Sequence, residues 1–407
     1  MSDFRPKVAV ISRRVAPAHG PGGLETAVRE QVHELAKAGA RVDLWTETPE
    51  PARQRAAEAD FEDAATLHWV APGPLPLGGM RGTVVLDRIT NYPIWARRVA
   101  KTMAPPADVI HVHGLAGLGV AERRARGAQT VPLVLTAHGM EEFLGRGLKH
   151  LMYGPFRAGM RRIGAAVDRV VVTDRVLMPV VAGALGISAD RTCVIPNAIH
   201  PEAGPQTADV GKARATLVAG GQGERECIFV SLGRFEANKG FDLLAEALGD
   251  AKDELGDWAW VLVGDGPQRS AIEAAVVAAG IADRVLFTGR VDDETKHGLL
   301  ATADWFVHPT RFEGSSLVTL EAMAHGLPVL GTRAGGLPDK IEDGRSGLLV
   351  EPSSVEALAV GLCAAVHAPK AEFGSRGRMI VGRDFSWERV GIAFMDLYRE
   401  LCAAPLR

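Results

Sequence analysis

The most informative spacing of carboxylates in this chain is that of Glu313 and Glu321, which flank a predicted helix start. Glu313 follows the apolar run WFVHP, and Ser315 and Ser316 are placed to cap the helix LVTLEAMAH. A helix start presents unpaired N–H groups and the positive end of a dipole, so it favours an anion such as phosphate. Glu321 lies about one and a half turns further on, at ~1.5 Å per residue, where it can accept hydrogen bonds from sugar hydroxyls. The stretch therefore suits a ligand that joins two sugars through phosphate.

Two cations, Arg234 and Lys239, follow another apolar run, CIFVSL, and precede a helix that we expect to begin near Phe241. A diphosphate needs neutralising charge and directed donors, and cations beside a helix N-terminus supply both. We therefore predict that Arg234 and Lys239 bind a diphosphate.

Histidines end two further apolar runs. His138 follows LVLTA, where it can orient or polarise a reacting hydroxyl, although a structural histidine is an equal alternative. His111 and His113 alternate within DVIHVHG. We interpret them as polar tips at a sheet edge, because no ligand partner at metal spacing accompanies them.

Glycines and one arginine complete the candidate set. Gly22 and Gly23 follow the first apolar run and permit close approach of backbone to a phosphate, but the spacing is not G-x-G-x-x-G. A plain turn is an equal alternative there. Arg290 follows VLFTG, where a nucleobase could lie against the backbone.

The elements that must position these residues are short apolar runs that alternate with helical patterns along the whole chain. Continuous apolar runs indicate strands covered on both faces, hence parallel sheets flanked by helices. We predict strands within residues 8–12, 41–46, 108–114, 132–139, 169–174, 192–197, 227–234, 260–266, 284–289, 304–310, 328–332 and 347–352. Six runs in each half predict an α/β protein with two Rossmann-like, doubly wound domains facing across a cleft.

The predicted domains are residues 1–198 and 199–385, with a handoff in the Pro- and Gly-rich stretch 196–205. The segment 386–407 reads as an amphipathic helix that we expect to pack back on the first domain. Residues 49–66 and 201–224 are expected to be surface excursions. At 407 residues the chain exceeds the size at which single cores stop growing, which supports two domains.

Composition favours a globular enzyme of the cytoplasm. Apolar residues make up 47% and charged residues 23%, and no apolar run reaches the ~18 residues of a membrane span. The four scattered cysteines are expected to be buried thiols in a reducing compartment. The net charge of −3 combines a basic first half with an acidic second half. Nucleic-acid binding has no support beyond the mild basicity of the first half.

Taken in order, these pieces resemble a retaining glycosyltransferase of the two-Rossmann-domain (GT-B) type, specifically glycosyltransferase family 4. The Glu-x7-Glu block with its upstream Arg and Lys is the most specific mark. The others are PGGLE, TAHG, VIPNAI, GRFEANKG, VGDGP, FTGRV, GGLPD and FSWE.

The resemblance implies donor-site roles in the second domain. Arg234 and Lys239 would bind the donor diphosphate and stabilise the leaving group, Glu321 would hold the ribose, and Glu313 would contact the transferred sugar. The amides that follow Glu313 would meet sugar and phosphate; they belong to Gly314, Ser315, Ser316 and Leu317.

In the first domain, the resemblance implies that Gly22 and Gly23 close over the phosphates and that His138 contacts the sugar near the reacting carbon. Family members are generally metal-independent, and the chain has no Asp-x-Asp, so we expect no metal and no cofactor beside the nucleoside-diphosphate sugar. The family often has other residues where this chain has Ser315, Ser316 and Asp339, so the donor is left open.

The expected partners are a nucleotide-sugar donor and a saccharide, lipid-linked or small-molecule acceptor. Residues 143–167 are basic and amphipathic, which suits peripheral contact with an anionic inner-membrane face; packing on the chain's own domain is an equal alternative. The pathway expected from this is synthesis of cell-surface polysaccharide or glycolipid.

Other classes use related folds. A sugar-nucleotide epimerase or a phosphorylase would give no net transfer to an acceptor. A nicotinamide oxidoreductase is disfavoured by the missing G-x-G-x-x-G. A non-catalytic sugar-nucleotide sensor would need neither His138 nor Glu313, and both are present.

Overall fold

The computed structural model describes residues 4–20, 22–75, 83–103, 106–138, 143 and 151–404. The chain divides into two compact units, each built on its own sheet. Unit 1 comprises Met1–Asn197 and Trp387–Arg407, and unit 2 comprises Ala198–Ser386. The predicted class, α/β with two parallel sheets, is confirmed.

Unit 1 contains a seven-stranded parallel sheet of order β3-β2-β1-β4-β5-β6-β7. The strands are β1 (Lys7–Ile11), β2 (Arg41–Glu47), β3 (Thr66–Val70), β4 (Val109–His113), β5 (Leu133–Thr136), β6 (Arg169–Val172) and β7 (Thr192–Val194). The outer strand β3 is missing from the sequence-based prediction. Its sequence TLHWV is mostly half-buried or exposed, because it pairs on one side only.

Helices cover the sheet of unit 1. They are α1 (Gly23–Lys37), α2 (Pro51–Asp60), α3 (Val84–Ile89), α4 (Asn91–Thr102), α5 (Leu118–Arg124), α6 (Gly154–Ala166), α7 (Leu177–Leu185) and the last helix, α17 (Trp387–Ala403). Helix α17 packs on α1, where a Cβ on Gly391 would lie 2.9 Å from the Cβ of Glu34. Its buried Tyr398 places its hydroxyl 2.5 Å from Nδ1 of His111 on β4.

Unit 2 contains a six-stranded parallel sheet of order β10-β9-β8-β11-β12-β13. The strands are β8 (Cys227–Leu232), β9 (Trp258–Val263), β10 (Val285–Gly289), β11 (Trp305–His308), β12 (Val329–Thr332) and β13 (Gly347–Val350). Both faces are covered, as the continuous apolar runs predict. Phe229 and Trp260 enter one core cluster, while the adjacent Val230 and Val261 enter the other.

The helices of unit 2 are α8 (Ala203–Thr207), α9 (Val210–Ala219), α10 (Phe241–Ala251), α11 (Arg269–Ala278), α12 (Asp293–Thr302), α13 (Leu317–Ala324), α14 (Leu337–Lys340), α15 (Val355–His367) and α16 (Lys370–Asp384). Residues 49–66 and 201–224, which are expected to be surface excursions, contain α2, α8 and α9. Helices α2 and α8 lie on the surface as expected, since α2 buries only Ala57 and α8 buries no residue, but α9 does not. Helix α9 buries Ala213 and Leu217 in the core.

Two expectations from composition can be compared with the structure. Within the described residues, no helix combines the length and apolar character that crossing a bilayer requires. The cysteines are free thiols, but the prediction that they are buried is wrong: Cys193, Cys227 and Cys363 are half-buried and Cys402 is exposed.

Candidate active site

Each sheet has one place where the strand order reverses, and the chain leaves the two strands there in opposite directions. These switch points lie between β1 and β4 in unit 1 and between β8 and β11 in unit 2. Ligands of doubly wound sheets bind at the carboxyl ends of such strands. In unit 2, β8 leads to Arg234 and Lys239, and β11 leads to Glu313. Arg234 and Lys239, the residues predicted to bind a diphosphate, therefore lie at the switch point of unit 2.

Loops after β8, β11 and β12 approach one another so closely that glycine is required at two positions. Gly240 has φ +71°, and a Cβ on it would lie 2.1 Å from the carbonyl oxygen of Pro309. Gly335 has φ +54°, and a Cβ on it would lie 1.7 Å from the carbonyl oxygen of Glu313. Only a residue without a side chain fits such backbone contacts and adopts such φ values readily. The three loops thus hold Glu313 in place through backbone packing.

Glu313 is the centre of an ion-paired cluster. Its carboxylate accepts a hydrogen bond from Nζ of Lys239, and its Oε2 lies 2.9 Å from Nε2 of the fully buried His308. Burial alone would raise the pKa of Glu313, but the hydrogen bonds and charges of His308 and Lys239 outweigh it and lower that pKa to about 2. An ammonium has three N–H donors, so Lys239 retains donors for a diphosphate while it holds Glu313.

Helix α13 begins beside this cluster with an uncompensated N-terminus. Ser316 occupies the N-cap position, but its side chain makes no capping hydrogen bond, so the prediction of a serine side-chain cap is wrong. The Ser316 hydroxyl instead lies 2.8 Å from Oγ1 of Thr319. The first turn holds no acidic residue, and the buried hydroxyl of Ser315 has no hydrogen-bond partner in the described part of the chain. The helix start therefore has unused donors for an anion.

Glu321 projects from the next turn of α13 and is half-buried. Its Oε1 lies 3.3 Å from Nζ of Lys296 on α12, which also lies 3.0 Å from Oδ1 of Asp293. Burial raises the pKa of Glu321, and Lys296 offsets part of that effect. A half-buried carboxylate in this position can accept hydrogen bonds from hydroxyl groups.

Other predicted donor-site residues are less closely held. Arg234 is on the β8 loop, but its side chain is 69% exposed and forms its ion pair with Glu236. Arg290 is exposed at the end of β10, two strands away from β8. The structure thus brings Lys239 and Glu313 together and leaves both arginines exposed.

The predicted residues near the start of α13 are Gly314 and Leu317. A Cβ added to Gly314 would meet no atom beyond its chain neighbours within 4 Å, and Leu317 is the first residue of α13.

The glycines predicted to approach phosphates lie at the start of α1, after β1. Gly22 is the N-cap residue and Gly23 begins the helix. A Cβ on Gly22 would lie 1.9 Å from Oε2 of Glu25, so this carboxylate occupies the positive end of the α1 dipole. A phosphate bound here would have to displace the flexible Glu25 side chain.

His138 follows β5 and belongs to a row of histidines in unit 1. Its Nε2 lies 2.8 Å from Nδ1 of His113, and burial lowers the pKa of His138 to about 4, so the ring is neutral at pH 7. The interpretation of His111 and His113 as polar tips at a sheet edge is wrong. Both are buried on β4, a central strand, and their rings stack with centroids 4.9 Å apart.

Comparisons with known proteins identify the family of this chain. The profile described as Glycosyltransferase Family 4 matches residues 21–203, and the profile described as Glycosyl transferases group 1 matches residues 226–367. The chain belongs to glycosyltransferase family 4. This enzyme is 31% identical to the GDP-mannose-dependent alpha-(1-6)-phosphatidylinositol monomannoside mannosyltransferase of Mycolicibacterium smegmatis, over 70% of this chain and 73% of that protein.

A second relative of this glycosyltransferase is the D-inositol 3-phosphate glycosyltransferase of Salinispora tropica, which is 28% identical over 98% of this chain and 86% of that protein. Among solved structures, sucrose-phosphate synthase from Thermosynechococcus elongatus aligns with a TM-score of 0.74 and 24% identity, covering 98% of this chain and 100% of that one. The structural likeness shows that the glycosyltransferase has the GT-B fold.

Several contacts of the candidate site residues were not predicted from the sequence. His308 contacts Glu313, Lys296 contacts Glu321, and His113 contacts His138. His308 and His113 each end an apolar strand, and a polar residue at that point was the available signal. Lys296 lies on α12 and gave no such signal, because its contact with Glu321 of α13 depends on the tertiary fold. In the described residues, no group of three or more His, Cys, Asp or Glu side chains is placed to hold a metal ion.

Proposed function

We propose that the enzyme transfers a sugar from a nucleoside-diphosphate sugar to an acceptor hydroxyl with retention of anomeric configuration and without a metal ion. The observation that carries the proposal is the convergence of Lys239, Glu313 and the open start of α13 at the switch point of unit 2. This arrangement combines a cation, a sugar-binding carboxylate and unpaired backbone donors. A sugar diphosphate requires these three groups at adjacent points.

The proposed reaction follows from where charge develops. The bond between the anomeric carbon and the β-phosphate oxygen breaks, and its electron pair leaves with the nucleoside diphosphate. Lys239 and the first amides of α13 stabilise that negative charge without reorganising. The acceptor hydroxyl attacks the same face of the sugar and its proton passes to the departing phosphate, so the anomeric configuration is kept. Glu313 contacts the transferred sugar, and Glu321 accepts hydrogen bonds from the ribose.

The donor and acceptor are proposed from the relatives. Because one relative is named as GDP-mannose-dependent, GDP-mannose is the first donor to test, with UDP- and ADP-sugars beside it. Both relatives carry inositol in their names, so inositol phosphate and phosphatidylinositol mannoside come first among the small-molecule and lipid-linked acceptors. Synthesis of a glycolipid or related glycoconjugate is the corresponding pathway.

The test is a screen of nucleotide sugars with and without each acceptor, in the presence of EDTA. We expect release of the nucleoside diphosphate and a glycosylated product, in which NMR shows the anomeric configuration of the donor. Release of a sugar 1-phosphate would indicate a phosphorylase, and an epimerised nucleotide sugar would indicate an epimerase. Either product without transfer, inversion of configuration, or loss of turnover in EDTA would contradict the proposal.

The proposal includes peripheral contact of α6 with anionic lipid. Phe156, Met160 and Ile163 pack into unit 1, which agrees with the alternative of packing on the chain's own domain. The exposed residues of this stretch include Leu151, with 73% exposure, and Met152, with 45%, which precede α6, and Arg161 and Arg162 on α6. Residues 144–150 of the predicted basic stretch lie outside the described part of the chain.

Liposome flotation tests this contact. At low salt the protein should float with vesicles that contain anionic phospholipid, and Arg161→Glu with Arg162→Glu should abolish flotation because the paired charges then repel the surface. Arg383→Glu is the matched control, since Arg383 is an exposed cation of unit 2. Absence of flotation at low salt would contradict the proposed membrane contact. It would not bear on the proposed transfer reaction.

A further inference from the structure

Three histidines on neighbouring strands of unit 1 form a continuous row that ends at His138. His111 and His113 lie on β4 with rings nearly parallel, at an interplanar angle of 9°. The ring of His113 then stacks on that of His138, with centroids 5.1 Å apart, and their Nδ1 and Nε2 atoms are 2.8 Å apart. The family resemblance gives a role only to the last of the three, His138, as a contact of the transferred sugar. The other two are 0% and 2% exposed, which calls for a reason.

Two neighbouring donors favour one tautomer of His111. Nε2 of Gln31 lies 2.9 Å and the hydroxyl of Tyr398 lies 2.5 Å from Nδ1 of His111, so this ring nitrogen is assigned as the acceptor. The proton of neutral His111 is therefore on Nε2, from which it donates to Oγ1 of Thr136 at 2.7 Å. Burial lowers the pKa of His111 to about 3 and keeps the ring neutral. His111 thus provides a fixed, uncharged surface on which His113 stacks.

The pair His113–His138 has two arrangements of the shared proton. If Nε2–H of His138 donated, His113 would carry its proton on Nε2, which is buried and has no partner among the described residues. If Nδ1–H of His113 donates, Nε2 of His113 instead carries a lone pair to which no group donates. Buried N–H groups without an acceptor are rarer than buried acceptors without a donor. The second arrangement is therefore favoured.

We propose that His113 is a positioning residue that donates from Nδ1 to Nε2 of His138, so that His138 carries its own proton on Nδ1. His138 then presents a neutral N–H donor at the carboxyl end of β5, where it can donate to a sugar hydroxyl or oxygen. In the opposite tautomer, Nδ1 would present a lone pair and act as an acceptor. The consequence for turnover rests on the proposed function; the consequence for the tautomer of His138 does not.

The direct test reads the ring nitrogens of His138 by 15N NMR of the intact protein, with signals assigned by comparison with His138→Asn. We expect a neutral ring protonated on Nδ1 at pH 7. His113→Phe keeps the stacked ring but removes the donor, so the signal should shift towards a mixture of tautomers. His113→Asn retains an amide donor at the position of Nδ1 and should restore the wild-type signal. A wild-type ring protonated on Nε2, or an unchanged signal in His113→Phe, would overturn the proposal.

Kinetics test the consequence for turnover. His113→Phe should lower kcat by at least about tenfold, a typical effect of a displaced proton-bonding group, with KM for the nucleotide sugar nearly unchanged. His113→Asn should recover most of that loss. His68→Phe is the matched control, because His68 also stacks on a neighbouring ring, that of Trp45, within the same sheet. A fully active, folded His113→Phe variant would overturn the positioning role.

Different results would overturn the proposed transfer reaction and the proposed role of His113. A wild-type protein that transfers no sugar but shows Nδ1 protonation that depends on His113 would overturn the proposed reaction and support the role of His113. Normal transfer with the opposite tautomer would support the reaction and overturn the role of His113.

Discussion

At the scale of single residues, the cluster of Lys239, Glu313 and His308 makes the proposed donor site sensitive to loss of one charge. Lys239→Ala removes the cation that is proposed to stabilise the departing diphosphate. We expect kcat to fall by about 100- to 1000-fold, as for loss of one preorganised donor. Steady-state kinetics with the best donor, and circular dichroism to confirm folding, measure this.

The control for that variant is Lys212→Ala, which removes an exposed lysine of the same unit that pairs with Asp292 and Glu294. It should leave kcat and KM as they are. Near-normal turnover of Lys239→Ala would refute the assignment of Lys239 to the leaving group.

Ser315 shows how function and stability separate at one hydroxyl. Its buried Oγ has no partner in the described residues, so removing it in Ser315→Ala should not lower the free energy of unfolding. If that hydroxyl bonds a donor phosphate, its loss should raise KM for the nucleotide sugar about 10- to 100-fold, the equivalent of ~1.5–3 kcal/mol for a charged hydrogen bond. Urea denaturation and donor titration measure the two quantities.

Ser354→Ala should give the opposite pattern. Ser354 caps α15 by accepting a hydrogen bond from the amide of Ala357, so its loss should cost about 1 kcal/mol of stability without changing KM. If Ser315→Ala destabilises the protein and leaves donor binding intact, the hydroxyl serves packing alone.

At the scale of elements, the position of the Glu313 loop depends on one glycine. Gly335→Ala would combine a positive φ with a Cβ that lies 1.7 Å from the carbonyl oxygen of Glu313. The loop must shift, so we expect both lower stability and weaker nucleotide-sugar binding. Gly344→Ala is matched in φ, at +70°, but its Cβ meets nothing within 4 Å.

The difference between the two variants isolates the contact. Gly344→Ala should cost only the backbone strain, roughly 1–2 kcal/mol, and leave donor affinity unchanged. Differential scanning calorimetry and donor titration compare the two. Equal stability and equal affinity in both variants would show that the Glu313 loop does not depend on close backbone packing.

The elements also show what sequence could and could not predict. Twelve strands were predictable because buried parallel strands read as continuous apolar runs. Strand β3 was not, since its outer position leaves only Val70 buried. The sequence could predict that Glu313 and Lys239 each follow a buried strand, the position where parallel sheets bind ligands. Their direct ion pair, and the contact of His308 with Glu313, were not, because both depend on loop paths that residue spacing does not encode.

The histidine row shows the same limit. The alternation of His111 and His113 was visible in sequence, but it carried no information about strand order. Both rings are buried because β4 lies at the centre of the sheet and α17 packs against it. In this position His111 stacks on His113, and His113 contacts His138.

At the scale of the whole molecule, histidines that partial or full burial keeps neutral in both units make stability depend on pH. Burial lowers the pKa from 6.5 to about 3 for His111 and to about 4 for His138 in unit 1, and to about 4 for His297 and His325 in unit 2. Below pH 6.5 the unfolded chain therefore binds protons that the folded chain does not bind until pH 4. The free energy of unfolding should fall as the pH falls through this window.

The expected slope is large enough to measure. A fully buried group such as His111 contributes up to about 1.4 kcal/mol per pH unit between its two pKa values. Paired carboxylates such as Glu313, with a folded pKa of about 2, add their own loss only below the ordinary glutamate pKa of 4.5. A fall in the urea midpoint between pH 6.5 and pH 5 therefore reports the histidines. Tryptophan fluorescence follows both units, since Trp45 lies in unit 1 and Trp260 in unit 2.

One substitution checks the cause. His325→Gln removes one of the lowered groups from unit 2, so its midpoint should fall less steeply between pH 6.5 and pH 5 than that of the wild type. The effect should be partial, because His297 remains and the unit 1 histidines are untouched. Identical midpoints at pH 6.5 and pH 5 in the wild type would mean that these rings accept protons in the folded state as readily as in the unfolded one. His138 would then be partly protonated near pH 7 instead of wholly neutral, which links the stability of the fold to the chemistry of the site.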